Sequence, residues 1–169
     1  MIIGWSVALA TCNTSATFLP DVAAFLQRRY WVFDMDGTLT IAVHDFAAIR
    51  QELGIPEGQP IVKTINALPE ENAQSLRVWL QEIEEKLARN AKPAPGVRDL
   101  LATLKARGCR MGILTLNSRE KAWLTLETVG LAEFFEPEAV LGRGCLENPK
   151  PHPDGIHQLL TQWNATPDD

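Results

Sequence analysis

Tyr30-Trp31-Val32-Phe33 runs without a break into Asp34-Met35-Asp36-Gly37-Thr38, and this junction limits the fold more than any other feature of the chain. A β-branched and aromatic run stopped by Asp and Gly reads as a buried strand. The next comparable strand, Met111 to Leu116, follows a helix carrying Val97, Leu100, Leu101 and Leu104 and closed by Gly108. Asp34 and Met111 stand 77 positions apart, whereas a whole βαβ unit takes about 30 residues. Something is inserted in the crossover. The insertion starts after Leu39 and ends near Lys92-Pro93-Ala94-Pro95-Gly96, whose prolines resist both helix and central strand.

Three helices are expected inside the insertion. Asp45 can N-cap the first, with Phe46, Ile49 and Leu53 inward and Gly54 at its end. Ile61, Ile65 and Leu68 mark the second. Pro69 starts the third, whose apolar stripe is Leu76, Trp79, Leu80, Ile83 and Leu87, with Glu82-Lys86 and Glu85-Arg89 as i,i+4 pairs outside. After Met111 to Leu116, Ser118 caps a helix with Ala122, Leu126 and Val129 inward and Gly130 at its end; Ala139 to Leu141 reads as a short strand. A last helix begins near Pro153 and carries Ile156, Leu159, Leu160 and Trp163. This alternation predicts an α/β fold, an open parallel sheet with a small α-helical insertion. Ligands of such sheets bind at the carboxyl ends of the strands. The expected division is an N-terminal extension over 1–19, an α/β core over 20–40 and 93–169, and the helical insertion over 41–92.

Composition narrows the classes of function. At 169 residues, 46% apolar and 22% charged, the chain can bury a real core and is not disordered. Its 16 Lys and Arg against 21 Asp and Glu give a net charge of -5 with no basic run, which argues against extended nucleic-acid binding. Cys12, Cys109 and Cys145 form no CxxC pair, so a reducing, cytoplasmic setting is expected. The longest apolar stretch, Met1 to Ala10, is half of a membrane span and lacks the Lys or Arg of a signal peptide. Pro20-Asp21 is expected to open a short helix with Val22, Phe25 and Leu26 on one face.

Chemistry concentrates at the strand ends. Asp34 and Asp36, one residue apart in a turn, can serve different roles at one reacting centre, and Gly37 lets backbone N–H groups approach an anion. A polar turn explains Asp-Gly but not an apolar strand running straight into Asp-x-Asp-Gly-Thr. Gly112-Ile113-Leu114-Thr115 ends the second strand in a hydroxyl, and Lys150 lies in Asn148-Pro149-Lys150-Pro151-His152-Pro153 before the final helix. Gly142-Arg143-Gly144 has Glu147 where a GxGxxG loop needs glycine, so dinucleotide binding is not supported. His44, His152 and His157 lack metal spacing with the cysteines, and His44 reads as a surface or capping residue.

From Val32 to Thr40, then at Thr115 and Lys150 in that order, the sequence resembles the haloacid dehalogenase superfamily of hydrolases, in particular its phosphoglycolate phosphatase-like branch with a helical cap. The resemblance implies a Rossmann-like core, with residues 41–92 as the cap. It implies a magnesium-dependent phosphatase acting on a small phosphorylated metabolite, with no nucleic acid or membrane as partner. Asp34 would be the nucleophile that forms an aspartyl-phosphate, and Asp36 the general acid and base. Mg2+ would be held by Asp34 and Asp36, and the phosphoryl oxygens by Thr115, Lys150 and Asn117. The alternatives are a phosphomutase of the β-phosphoglucomutase kind, or a catalytically incomplete phosphoryl-binding protein or fragment. The family's fourth motif, an apolar strand ending in acidic residues beside the first strand, should follow the final helix. The chain stops at Thr166-Pro167-Asp168-Asp169, so the C-terminal part of the core is expected to be missing. The edge of Tyr30 to Phe33 should then be open to another chain, or to a strand within Ile2 to Ala10.

Overall fold

The computed structural model describes residues 2–3, 27–42 and 46–166. The expected helix at Pro20, the cap residue Asp45, His44, Cys12, Asp168 and Asp169 lie outside the described residues. Four parallel strands form the sheet in the order β1 (Ile2–Ile3), β2 (Tyr30–Phe33), β3 (Arg110–Ser118) and β4 (Val140–Arg143). Their registers set Val32 against Ile2 and Gly112, and Phe33 against Ile3 and Ile113. The edge of β2 is therefore paired at Val32 and Phe33 by a strand within Ile2 to Ala10, one of the two partners expected for it.

Strand β2 is apolar throughout because both of its faces are covered. Trp31 and Phe33 point to one side, into a cluster with Val97, Leu101 and Leu104 of α4 (Val97–Ala106) and Ala122 and Leu126 of α5 (Arg119–Thr128). Val32 points to the other side, with Leu114, Leu141, and Leu159 and Trp163 of α6 (Asp154–Trp163). The phenyl ring of Phe33 meets that of Phe135 edge to face, and Tyr30 stacks on Trp163. Ser118 caps α5 as its position suggests, its hydroxyl accepting from the Lys121 N–H at 3.3 Å.

The insertion is helical: α1 (Phe46–Glu52), α2 (Ile61–Asn66) and α3 (Glu70–Arg89). It gathers its own apolar cluster, Ile55, Ile65, Ala73 and Leu80, with Ile49 and Trp79 packed against it. The chain leaves and re-enters the core at adjacent points, since the Ile41 N–H donates to Lys92 O at 3.0 Å and the Ala94 N–H to Leu39 O at 2.9 Å.

Three expectations are corrected. Leu100 and Leu68, taken as part of the apolar patterns marking two helices, are both exposed; Leu100 lies at the margin of a stripe whose centre is Leu101 and Leu104, and Leu68 lies beyond the end of α2 at Asn66. Ala139 ends a 3-10 turn, Pro137–Ala139, and the strand begins one residue later and runs on to Arg143. Strand β3 runs past Leu116 to Ser118, with a register irregularity between Leu114 and Ser118.

Gly142 lies against that irregularity. A Cβ at this position would stand 2.6 Å from both Arg119 N and Asn117 O, backbone atoms that cannot turn aside. Gly142→Ala is expected to destabilise the fold by about 3 kcal/mol, as overpacking against fixed atoms does, measured by urea denaturation. Gly108→Ala, at an open helix end where only the positive φ of 72° is strained, should cost less, about 1 kcal/mol.

Candidate active site

Met35 organises the loop after β2. Its side chain is fully buried, and its carbonyl accepts the N–H groups of Thr38, Leu39 and Thr40 at 3.2, 2.9 and 3.0 Å and the Thr40 hydroxyl at 3.2 Å. Extended backbone alternates its side chains, so an inward Met35 turns Asp34 and Asp36 away from the core, and both are only half-buried. Gly37 takes φ = 77°, a left-handed turn that an L side chain resists, and the loop closes with a bridge between Asp36 and Thr40.

Each carboxylate has a partner from a distant segment. Lys150 Nζ lies 2.6 Å from Asp34 Oδ1. Asn117 Nδ2 donates to Asp36 Oδ2 at 2.8 Å. Thr115 is buried, and its Oγ1 accepts the Asn117 N–H at 3.2 Å. The five residues singled out in the sequence thus converge at the carboxyl ends of β2 and β3 and on the loop before α6. Asn117, expected on a phosphoryl oxygen, points its amide at Asp36. The bend between Leu114 and Ser118 turns that amide toward the Asp36 loop, and strand periodicity alone does not reveal it.

The Lys150 loop is held by its own polar contacts. Asn148 Nδ2 donates to Asp154 Oδ2 at 2.8 Å, and His152 Nδ1 lies 2.7 Å from Asp154 Oδ1. The Asn148 hydrogen bond is the main cause that holds the Asp154 carboxyl below the usual range; burial opposes it, and His152 adds a smaller lowering. His152 is thereby a loop brace, which spacing to the cysteines could not show. One broad surface hollow lies along Trp123, Leu124 and Pro137, and another along Asn148, Pro149 and Pro151 beside Lys150. The site itself is marked by paired charges at strand ends.

Two contacts were not legible in the sequence. Arg143, at the end of β4, reaches Glu84 of α3 at 3.3 Å, and Lys121 of α5 reaches Glu85 at 3.0 Å. The spacing indicated only the partner of Glu85 within its own helix, Arg89, which is also bound, at 2.8 Å.

Among the described residues no three His, Cys, Asp or Glu side chains gather as a metal cluster. The Asp34 carboxylate and the Asp36 carbonyl oxygen still offer an all-oxygen donor set. That set fits Mg2+, which takes one or two carboxylates and fills its remaining positions with water and substrate phosphate, and it does not fit a metal that wants nitrogen or sulfur.

A model of the haloacid dehalogenase-like hydrolases matches residues 31–169, and the chain belongs to that family. Pyrophosphatase PpaX of Listeria welshimeri is 26% identical over 152 residues, 80% of this chain and 69% of the relative. Phosphoglycolate phosphatase of Escherichia coli O157:H7 is 31% identical over 134 residues, 79% of this chain and 50% of its own. The chain thus spans only part of the length of these relatives. A solved structure, that of a predicted phosphoglycolate phosphatase from Haemophilus somnus, aligns at TM-score 0.64 and 20% identity over 83% of this chain and 73% of that one; this likeness speaks for the fold. The relatives set the chain on the phosphoglycolate phosphatase-like branch, among enzymes of the phosphatase class. No helix of the described residues is long and apolar enough to cross a membrane.

The braced carboxylates give stability an acid limb. Asp154, Glu85 and Glu120 are each held below their ordinary values, first by the hydrogen bonds of Asn148, of Arg89 and of the Glu120 backbone N–H respectively. A depressed folded-state value adds stability that is present above the unfolded value and lost as pH falls through the folded one. Urea stability should therefore hold level down to about pH 5 and decline below about pH 4. In Asp154→Asn the decline should be shallower, as measured by urea titration at successive pH values.

Proposed function

We propose that this chain hydrolyses a small phosphate monoester through a covalent aspartyl-phosphate on Asp34. The observation that carries the reading is the 2.6 Å pair of Lys150 with Asp34, set two residues from a second carboxylate that Asn117 holds in place. A phosphate ester and a carboxylate repel each other, so a carboxylate nucleophile needs fixed positive charge at the point of attack. Lys150 supplies it from a loop braced by Asp154.

In the first step an Asp34 oxygen forms a bond to phosphorus while the ester P–O bond breaks, and the leaving oxygen takes a proton from Asp36. In the second, Asp36 accepts a proton from water as that water attacks phosphorus. The P–O bond to Asp34 then breaks, and inorganic phosphate departs. Asn117 keeps Asp36 turned toward the leaving oxygen. Thr115 accepts from Asn117 and so retains its own O–H to donate to a phosphoryl oxygen. When bound at the Asp34 carboxylate and the Asp36 carbonyl oxygen, Mg2+ would neutralise phosphoryl charge. The helices over 46–89 would cap the site and choose the leaving group.

Asp34→Asn should remove turnover and acid-stable labelling by phosphate together while circular dichroism stays unchanged. Asp36→Asn should slow alkyl phosphates by about 10²- to 10⁴-fold and aryl phosphates, whose leaving groups need less protonation, by less. Equal losses for both ester classes would contradict the assignment of Asp36. Stoichiometric release of inorganic phosphate, rather than return of the group to a sugar, separates this reaction from a mutase.

A further inference from the structure

Ile65, Ala73, Leu80 and Trp79 of the insertion pack among themselves, and α3 meets the core along α5. Ion pairs cross that seam. Glu84 of α3 lies 3.3 Å from Arg143, and Glu85 Oε2 lies 3.0 Å from Lys121 Nζ. Arg89 holds the other Glu85 oxygen at 2.8 Å from within the helix, fixing the carboxylate that Lys121 meets. The core cations are not scattered: Arg143 ends β4 in register with Ser118, one residue beyond Asn117, and Lys121 gives its backbone N–H to the same Ser118. Both adjoin Ser118, the residue next to Asn117, whose amide holds Asp36.

From this juxtaposition we infer that Glu84 and Glu85 are positioning residues, whose ion pairs with Arg143 and Lys121 set the helical insertion over the Asp34–Asp36 loop in the arrangement competent for turnover. The inference rests on the phosphatase reading for its effect on rate. Its effect on the placement of the insertion does not depend on it. The seam is half-solvated, with Lys121 and Glu84 18% and 17% exposed and Arg143 and Glu85 34% and 44%. Such pairs orient more than they stabilise and weaken as salt screens them. Charge pairs of this kind can part and re-form in the same register.

The test uses the full chain with Glu84→Gln, Glu85→Gln, the pair together, and the swap Glu84→Arg with Arg143→Glu. Each neutral variant should keep the thermal midpoint of the parent, yet be cleaved faster by protease within 90–96 and lose about tenfold in kcat/KM on a small aryl phosphate. Raising salt from about 0.05 to 0.5 M should reproduce the loss in the parent and do little to the double neutral variant. The swap should recover both protection and kcat/KM. Protection and salt response unchanged in the double neutral variant, or a folded swap that recovers neither, would overturn the inference. If the parent turns over no ester, the phosphatase reading fails alone, and protection with its recovery in the swap still decides the placement.

Discussion

Four hydrogen bonds to one oxygen, the carbonyl of Met35, make the rest of the site possible. They fold residues 35–40 into a turn whose hinge is a buried side chain. The apolar core thereby becomes the reference against which Asp34 and Asp36 are aimed. Strand β2, enclosed on both faces, is the stiff support behind that turn. A loop carrying two like charges would otherwise splay; here burial of Met35, Leu39 and Thr40 around it holds the carboxylates one residue apart on the solvent side.

The partners of those carboxylates come from far along the chain, Asn117 across β3 and Lys150 across the loop before α6. This gives the two acids unlike surroundings. Asp34 faces a cation and Asp36 an amide. The proposed reaction gives the two acids different tasks, attack on phosphorus and transfer of a proton, and their unlike partners suit that division. The backbone of Asn117 lies close against Gly142, where no side chain fits between them.

The insertion is joined to this core by two adjacent connections, at Ile41 with Lys92 and at Leu39 with Ala94, and by charge pairs along α3. Its apolar cluster is its own. On the proposed reading, those charge pairs would let the insertion shift against the core, as a cover over a reacting centre must.

The alternation of helix and strand, the interruption of the crossover and the identity of the two acids were legible in the sequence, because each is a local pattern. A short apolar run ends in Asp-x-Asp-Gly, a glycine follows a helix, and a 77-residue gap exceeds a crossover. The roles of Asn117, Glu84, Arg143 and His152 were not legible, because each is decided by a partner that strand register or loop closure brings near. The expected strands stop at Leu116 and Leu141, and only the irregular register after Leu114 brings Ser118 beside Arg143. A strand within Ile2 to Ala10 was one partner expected for the edge of β2, but that Ile2–Ile3 in particular pairs with Val32 and Phe33 is a matter of tertiary packing. The sequence by itself determined which residues can do the chemistry, since reactivity belongs to a side chain's own functional group. Tertiary structure alone decided which of them touch, since distance between remote segments is a property of the packed sheet.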